Sequence, residues 1–249
     1  MALLVNQAWS IQDGDCQGAT ASAASLLARD VVVVEAVPED EVPALPDEEA
    51  MLVKQAFEQR RREFAAGRFC ARAALLRLDR SVGFVGRRYD GSPDWPTGIV
   101  GSITHTKDYV AAAVALSSSY LGIGIDAEAA VPLPQSVARK VLTSKERLMC
   151  SSHDLTVKRL METVMFSAKE STYKAWGTFA GARCGIRDVE IEIDESLRTF
   201  RATVSNAGEQ LCILNGRFTL SKRCIVTTVV VPRGGSDSNA RGFYAGHSW

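Results

Sequence analysis

The chain has 249 residues and a mass of 26.9 kDa, enough for one large domain or two small ones. Lys and Arg together number 29, as do Asp and Glu, so the zero net charge gives no general case for binding nucleic acid. Its apolar runs fall well short of a membrane span, and residues 1–10 lack the basic start of a signal peptide. We therefore expect a globular cytoplasmic protein without nucleic-acid or membrane partners.

The six cysteines contain no C-x-x-C pair, and their scatter over a chain of this length is typical of a reducing compartment. This pattern predicts buried or inert thiols. The six are Cys16, Cys70, Cys150, Cys184, Cys212 and Cys224.

Charge is balanced overall but not locally. Residues 35–53 hold seven acids and no base, whereas residues 54–88 hold ten bases and three acids. Such an asymmetry can steer an anionic ligand, and the alternative is a solvated helix face.

The first long helix is predicted from Asp47, with an interruption at Gly67, to about Leu78. Arg61 and Arg68 fall on its apolar face. Guanidinium groups stay charged when buried, so these arginines need an anionic partner or a route to water. The apolar face comprises Phe57, Phe64, Ala71, Leu75 and Leu78.

Turn signals then alternate with short apolar runs. Glycine and proline concentrate in residues 83–96, and Thr143 with Glu146 forms a capping box, which we prefer to an active-site role for Glu146. The predicted strands are 99–104, 109–116, 121–126, 189–193, 199–204 and 225–231, with a further candidate at 218–220, and the second long helix is predicted over 157–179. The first three strands have connections short enough for hairpins.

Helix followed by strands occurs twice, which predicts an α+β protein of two similar halves, each with a small antiparallel sheet and a long helix. We place the N-terminal half at residues 1–118 and the C-terminal half at residues 119–232. Residues 233–249 are predicted to be a flexible tail.

Two carboxylates end the predicted strand 121–126. Alternation places Asp126 and Glu128 on one side and Ala127 on the other. Neighbouring carboxylates repel each other unless a cation lies between them, and oxygen ligands of this kind suit Mg²⁺ or Mn²⁺. The alternative is a pair of exposed acids at the start of a loop.

Three further polar residues complete the candidate site. Glu170 and Lys174 project together from the second long helix. They form either a surface ion pair or a third carboxylate for the cation with a lysine beside it, in which case Glu170 can also accept a proton from an attacking hydroxyl. His105, at the end of a strand, is either structural or a donor to a phosphate oxygen.

Together these motifs resemble the 4′-phosphopantetheinyl transferase family, in the monomeric two-halved form of the surfactin and siderophore enzymes. The order and spacing of the motifs carry the resemblance, which covers roughly residues 47–180. The matching stretches are 60–64, 67–71, 101–105, 124–128 and 166–170, with Tyr173, Lys174 and Trp176.

The resemblance implies transfer of the phosphopantetheine arm of coenzyme A to a serine of an apo acyl or peptidyl carrier protein, with adenosine 3′,5′-bisphosphate as the second product. It also implies a pseudo-twofold relation between the halves. Coenzyme A would then lie between them, on the basic helix and the His105 strand, opposite the Mg²⁺-binding half.

The same resemblance implies a role for each site residue. The implied Mg²⁺ ligands are Asp126, Glu128 and Glu170. The implied coenzyme A contacts are Arg60 and Arg68 at the 3′-phosphate, Arg87 and His105 at the diphosphate, Thr104 beside His105, and Lys174 near the reacting phosphate. The implied catalytic residues are Glu170, Lys174 and His105.

Two positions depart from the family pattern. Phe166 stands where many relatives have Trp, and Gly91-Ser-Pro93 stands where many have Gly-Lys-Pro. The second departure leaves the diphosphate cation to Arg87 or Arg88.

The residues leave two other functions open. One is a catalytically silent module that binds a carrier protein or a nucleotide, and the other is a Mg²⁺-dependent nucleotide hydrolase. Retention of three carboxylates together with Lys174 favours an active enzyme over the silent module.

Overall fold

The computed structural model describes residues 11–12, 21–38, 44–151, 154–180, 184–205 and 211–234. Within them the chain forms two larger antiparallel sheets, each carrying a long helix. This confirms the predicted α+β class with two similar halves. Cys16, the predicted helix end at Gly181 and the tail beyond residue 234 lie outside the described residues.

The helices and strands follow one another in a simple order. They are β1 (Ile11–Gln12), β2 (Val32–Ala36), α1 (Asp47–Leu52), α2 (Glu58–Arg77), β3 (Gly86–Arg87), β4 (Pro93–Asp94), β5 (Ile99–His105), β6 (Val110–Leu116), β7 (Tyr120–Ala129), α3 (Gln135–Val141), α4 (Ser144–Cys150), α5 (Leu155–Phe179), β8 (Val189–Asp194), β9 (Thr199–Ser205), β10 (Leu211–Leu220) and β11 (Cys224–Pro232).

The first sheet has the order β1-β2-β6-β5, and α2 packs on one of its faces. Strand β6 is buried on both sides because its side chains alternate between two cores. Val110, Ala112 and Val114 join the core under α2, whereas Ala111 and Ala113 join a core shared with β7. The predicted hairpin of β5 and β6 is confirmed, with Ile99 opposite Leu116.

The second sheet has the order β7-β11-β10-β9-β8, and α5 lies across it. The predicted hairpin of β6 and β7 is wrong, because β7 pairs with β11 along nearly its whole length. After the turn at residues 117–119 the chain leaves the first sheet and begins the second. The edges β5 and β7 lie side by side, so a seam between the halves runs along them.

The helical part of the N-terminal half differs from the prediction at one point. The helix breaks between Leu52 and Glu58 and continues through Gly67, where an added Cβ would lie 2.8 Å from Ile103 Cγ2. The glycine therefore marks a close approach of α2 to β5. Phe57, just before α2, is 90% exposed, contrary to the predicted apolar face.

Five cysteines are free and buried, which confirms the prediction of buried thiols for them. They are Cys70, Cys150, Cys184, Cys212 and Cys224. No helix among the described residues is long and apolar enough to cross a bilayer.

Candidate active site

The carboxylates of β7 lie where predicted relative to each other. Asp126 faces Thr227 of β11, Glu128 faces Ile225, and Ala127 between them is buried in the core that the two sheets share. Asp126 is 5% exposed and Glu128 is half-buried. A buried carboxylate needs hydrogen-bond donors, and α5 supplies them.

Helix α5 reaches β7 because two strand residues are glycines. A Cβ at Gly124 would lie 1.8 Å from the carbonyl oxygen of Ser171, and one at Gly122 would lie 2.5 Å from that of Ala175. Any side chain at these positions would push the helix away from the strand. The glycine of the Gly-Ile-Asp-Ala-Glu stretch thus sets the distance between Asp126 and the residues of α5.

Asp126 is held by two donors from α5. Lys174 Nζ donates to Asp126 Oδ1 at 2.8 Å, and Ser167 Oγ donates to Oδ2 at 2.7 Å. Thr227 Oγ1 lies 3.0 Å from Ser167 Oγ and also 3.0 Å from Ser171 Oγ, which joins β11 to the same network. Ser167 and Thr227 were missed by the sequence analysis, because only the pairing of β7 with β11 reveals their place.

The negative charge of Asp126 contributes to raising the pKa of both Glu128 and Glu170. Burial raises the pKa of Glu128 to about 7, with Asp126 as the next cause and Glu170 as a further one, while Lys174 opposes the shift. Burial and then Asp126 also raise the pKa of Glu170, again against Lys174. The three carboxylates predicted to act together therefore do influence one another, and Lys174 compensates only part of their charge.

The N-terminal half reaches this cluster along the seam. Thr104 Oγ1 accepts a hydrogen bond from Ala127 N at 2.9 Å, and Ser102 Oγ accepts one from Ile125 N at 3.1 Å. These hydroxyls replace the ladder that β5 and β7 do not form. Thr104 is buried, so its hydroxyl serves the seam, and its predicted contact with coenzyme A stays a prediction.

His105 lies at the end of β5 with charged residues of α2 on both sides. Arg60 Nη1 lies 2.8 Å from Nε2, and Glu63 Oε2 lies 3.7 Å from Nδ1. Since arginine can only donate, Nε2 must be the acceptor and Nδ1 carries the proton in the neutral ring. Burial lowers the pKa of His105, and Glu63 only partly opposes this, which favours the neutral ring.

Arg68 belongs to a second charged group beneath β3. It is 3% exposed, Nη2 donates to the carbonyl oxygen of Gly86 at 2.9 Å, and the guanidinium lies 4.7 Å from the centre of the Phe64 ring. Its Nε has no hydrogen-bond partner among the described residues. Burial lowers the pKa of Arg68 to about 10, and the nearby charge of Arg87 contributes to this.

Two other arginines of the basic segment already have partners. Arg72 forms an ion pair with Glu49, which is fully buried and also accepts a hydrogen bond from Val85 N at 2.7 Å. Arg88 pairs with Asp94 at 3.3 Å on the surface. Arg87 is exposed, and its charge helps to lower the pKa of Arg68. Arg87 is therefore a better candidate than Arg88 for binding an anion.

Glu146 is a structural residue. The predicted capping box is present, with Glu146 N donating to Thr143 Oγ1 at 3.2 Å and Thr143 N donating to Glu146 Oε2 at 2.7 Å. Lys169 also lies 3.0 Å from Oε2, and both side chains are fully buried. Sequence analysis missed this partner, because no local pattern connects α4 to α5.

Among the residues that the structure describes, no three side chains of His, Cys, Asp or Glu form a ready-made metal-binding group. The two sheets bring together Asp126, Glu128, Glu170, Lys174 and His105 as one electrostatic cluster, with Arg60 touching His105. Arg68 and Arg87 form the second group described above. The arrangement combines carboxylates, a lysine and a neutral imidazole at a seam between two halves.

Two family models match the chain. Residues 47–115 match the 4′-phosphopantetheinyl transferase N-terminal domain, and residues 122–223 match the 4′-phosphopantetheinyl transferase superfamily. The first match contains α2 and His105, and the second contains all three carboxylates. The chain is therefore an enzyme of the transferase class.

Similar curated proteins agree with the family match. The chain is 37% identical to the 4′-phosphopantetheinyl transferase Svp of Streptomyces mobaraensis, covering 82% of this chain and 87% of that protein. It is 34% identical to Npt of Nocardia iowensis, covering 77% and 90%, and 32% identical to PptT of Mycobacterium tuberculosis, covering 74% and 85%. The chain belongs to the 4′-phosphopantetheinyl transferase family, in its two-domain type, which confirms the resemblance seen in the sequence.

A holo-(acyl-carrier-protein) synthase from Bacillus anthracis in complex with coenzyme A (3′,5′-ADP) aligns with a TM-score of 0.36 and 24% identity, over 47% of this chain and 99% of that chain. The family assignment rests on the sequence matches.

Proposed function

We propose that this transferase moves the 4′-phosphopantetheine group of coenzyme A to a serine of an apo acyl or peptidyl carrier protein and releases adenosine 3′,5′-bisphosphate. The observation that carries the proposal is the Asp126 carboxylate. It lies between Lys174 and Ser167, raises the pKa of two neighbouring carboxylates and faces the seam at which His105 arrives from the other half.

Arg60, Arg68, Arg87 and His105 are the proposed ligands of the phosphates of coenzyme A. Arg68 is preorganised by Gly86 and Phe64 and retains an unpaired Nε, so it suits the 3′-phosphate, with Arg60 as its predicted companion. Because Arg60 touches His105, the predicted 3′-phosphate and diphosphate subsites adjoin there. A phosphate arriving at this point would draw Arg60 away from Nε2. His105 would then donate to a phosphate oxygen from Nε2 only after Nε2 takes up a proton, by a change of tautomer or by protonation of the ring.

Mg²⁺ is the proposed cofactor, with Mn²⁺ as the alternative, and Asp126, Glu128 and Glu170 would hold it. All three supply oxygen, the donor that Mg²⁺ prefers. Burial first, and then the charge of Asp126, raise the pKa of Glu128, and a bound cation would favour its ionised form. When bound, the ion neutralises charge on the diphosphate oxygens.

The protein side chains position the reacting groups. The serine oxygen of the carrier attacks the phosphorus that bears the pantetheine arm, and the bond from that phosphorus to the oxygen of the adenosine phosphate breaks. The serine proton passes to Glu170, directly or through water. Lys174, which donates to Asp126 at 2.8 Å, would stabilise the negative charge that develops on the leaving phosphate.

One incubation tests the proposal. The enzyme is mixed with coenzyme A, Mg²⁺ and either an apo acyl carrier protein or an apo peptidyl carrier protein. The masses of the carrier and of the nucleotide product are then measured by mass spectrometry. A carrier heavier by one phosphopantetheine, with adenosine 3′,5′-bisphosphate released, supports transfer. Cleavage of coenzyme A without a heavier carrier would instead identify a hydrolase, and binding without either change would identify a silent module.

A further inference from the structure

A buried ion pair joins α5, the helix that carries Glu170, to α4 in the C-terminal half. Lys169 of α5 and Glu146 of α4 are both fully buried, and Nζ lies 3.0 Å from Oε2. Neither residue has a place in the transfer chemistry described above. Burying two charges costs free energy that an apolar pair of similar size would not cost, so a buried pair needs a reason beyond stability.

Every polar atom of this pair is used. Lys169 Nζ donates to the carbonyl oxygens of Val189 at 2.6 Å and Ile186 at 3.3 Å, which with Glu146 accounts for its three protons. Glu146 Oε1 accepts from Ile191 N at 2.8 Å. A single lysine therefore attaches α5 to the N-terminus of α4, to β8 and to the segment before β8.

Glu170 follows Lys169 directly in the chain. On the other side of the helix, Ser167 bonds to Asp126, and the backbone at Ser171 rests on Gly124. The turn of α5 that carries Glu170 is thus attached on two sides, to β7 and β11 through Ser167 and Ser171 and to β8 through Lys169. Without Lys169, polar contacts would hold this turn on the side of β7 and β11 alone, and a rotation of the helix would move Glu170 relative to Asp126 and Glu128.

We propose that Lys169 is a positioning residue, whose ion pair with Glu146 fixes the rotation of α5 so that Glu170 faces the carboxylates of β7. The proposal rests on the proposed function, in which Glu170 binds the cation and accepts the serine proton. Supporting residues of this kind typically change metal affinity or activity by about 10–100-fold when they are altered.

The test uses the isosteric variants Lys169→Met and Glu146→Gln, alone and together. Each single variant leaves one group buried without its partner and lowers the melting temperature, whereas the double variant removes both charges and recovers much of it. In the recovered double variant we expect kcat to fall by about 10-fold or more, with the KM for coenzyme A within about 2-fold of wild type. The Mg²⁺ concentration needed to raise the melting temperature with coenzyme A bound should increase by about 10-fold.

Lys145→Met is the matched control, because Lys145 also lies on α4 and pairs with Glu190 and Glu192 of β8, but at an exposed position. It should leave all three quantities unchanged. Glu170→Gln separates the proposed function of Glu170 from the positioning role of Lys169. An active Glu170→Gln enzyme would refute the role of Glu170, and the Lys169–Glu146 pair would then have no catalytic group to position. If Glu170→Gln is inactive but the double variant has wild-type kcat and Mg²⁺ dependence, the positioning role is refuted. A double variant that does not fold also refutes it, since the pair would then be required by the fold alone.

Discussion

Lys174 Nζ lies 2.8 Å from Asp126 Oδ1, and the same ammonium reaches the carbonyl oxygens of Ile125 at 3.0 Å and Ile103 at 3.4 Å. Ile125 belongs to β7 and Ile103 to β5, so one side chain of α5 spans both halves beside the carboxylates. Lys174 therefore supplies positive charge to Asp126 and closes the seam along which Thr104 and Ser102 already act.

Asp126→Asn should remove activity while leaving the fold in place. The amide keeps the shape of the side chain, Lys174 retains its two carbonyl acceptors, and the loss of one charge relieves repulsion on Glu128 and Glu170. We expect kcat/KM to fall by about 100-fold or more, the effect of removing one electrostatic group from an active site. Steady-state transfer assays at several Mg²⁺ concentrations measure it, and Asp108→Asn, at an exposed carboxylate, is the control. Near-normal transfer at limiting Mg²⁺ would contradict the metal assignment.

Gly124→Ala should damage both stability and activity. The new methyl group would lie 1.8 Å from the carbonyl oxygen of Ser171, so α5 must move off β7. We expect a loss of at least about 1–3 kcal/mol in the free energy of unfolding, the usual cost of overpacking a core. Gly177 lies on α5 itself, and an added Cβ there would have nothing within 4 Å, so Gly177→Ala should instead stabilise the helix by about 0.8–1 kcal/mol. Urea unfolding of both variants measures the difference, and equal effects would mean that the close approach has no consequence.

His105 should titrate below the ordinary histidine pKa of about 6.5. Burial lowers its pKa and Glu63 raises it, so Glu63→Gln should lower the midpoint further. Because the folded-state pKa lies below the unfolded one, the unfolded chain takes up the proton more readily. This contribution to stability is therefore present above pH 6.5 and is lost as the pH falls through the two pKa values. Imidazole NMR signals followed against pH, with His105→Gln for assignment, measure the midpoint, and a value above 6.5 would contradict the neutral ring inferred here.

Arg68→Ala should raise the KM for coenzyme A more than it lowers kcat, because the 3′-phosphate is remote from the bond that breaks. The defect should shrink with dephospho-coenzyme A, which lacks that phosphate. Arg68 is buried against Gly86 and Phe64, so the variant is also expected to melt at a lower temperature. Arg77→Ala, in the last turn of the same helix, is the matched control. An equal kinetic defect with both donors would show that Arg68 acts only in holding α2.

Local patterns were sufficient for several features that depend on neighbours in the chain, although not for the helix break between Leu52 and Glu58. The alternation that places Asp126 and Glu128 together, the Thr143–Glu146 capping box and the span of α5 were all predicted, since each is decided within a few residues. The family resemblance rests on the same short stretches.

Features that depend on distant partners were not predictable. Strand β7 leaves the first sheet because β11, about a hundred positions later, provides its ladder. Gly67 does not interrupt α2, since its missing side chain makes room for Ile103. The sequence around Lys169 indicates only a helix residue, because its partners Glu146 and Val189 belong to α4 and β8.

The five buried cysteines have a consequence for a protein that handles a thiol. Burial raises the pKa of Cys70 and Cys224 to about 12 and that of Cys150 and Cys212 to about 11, and it also raises the pKa of Cys184. Thiol–disulfide exchange requires an accessible thiolate. Oxidised coenzyme A, whose disulfide would otherwise react with such a thiolate, therefore meets no reactive partner among these five described residues.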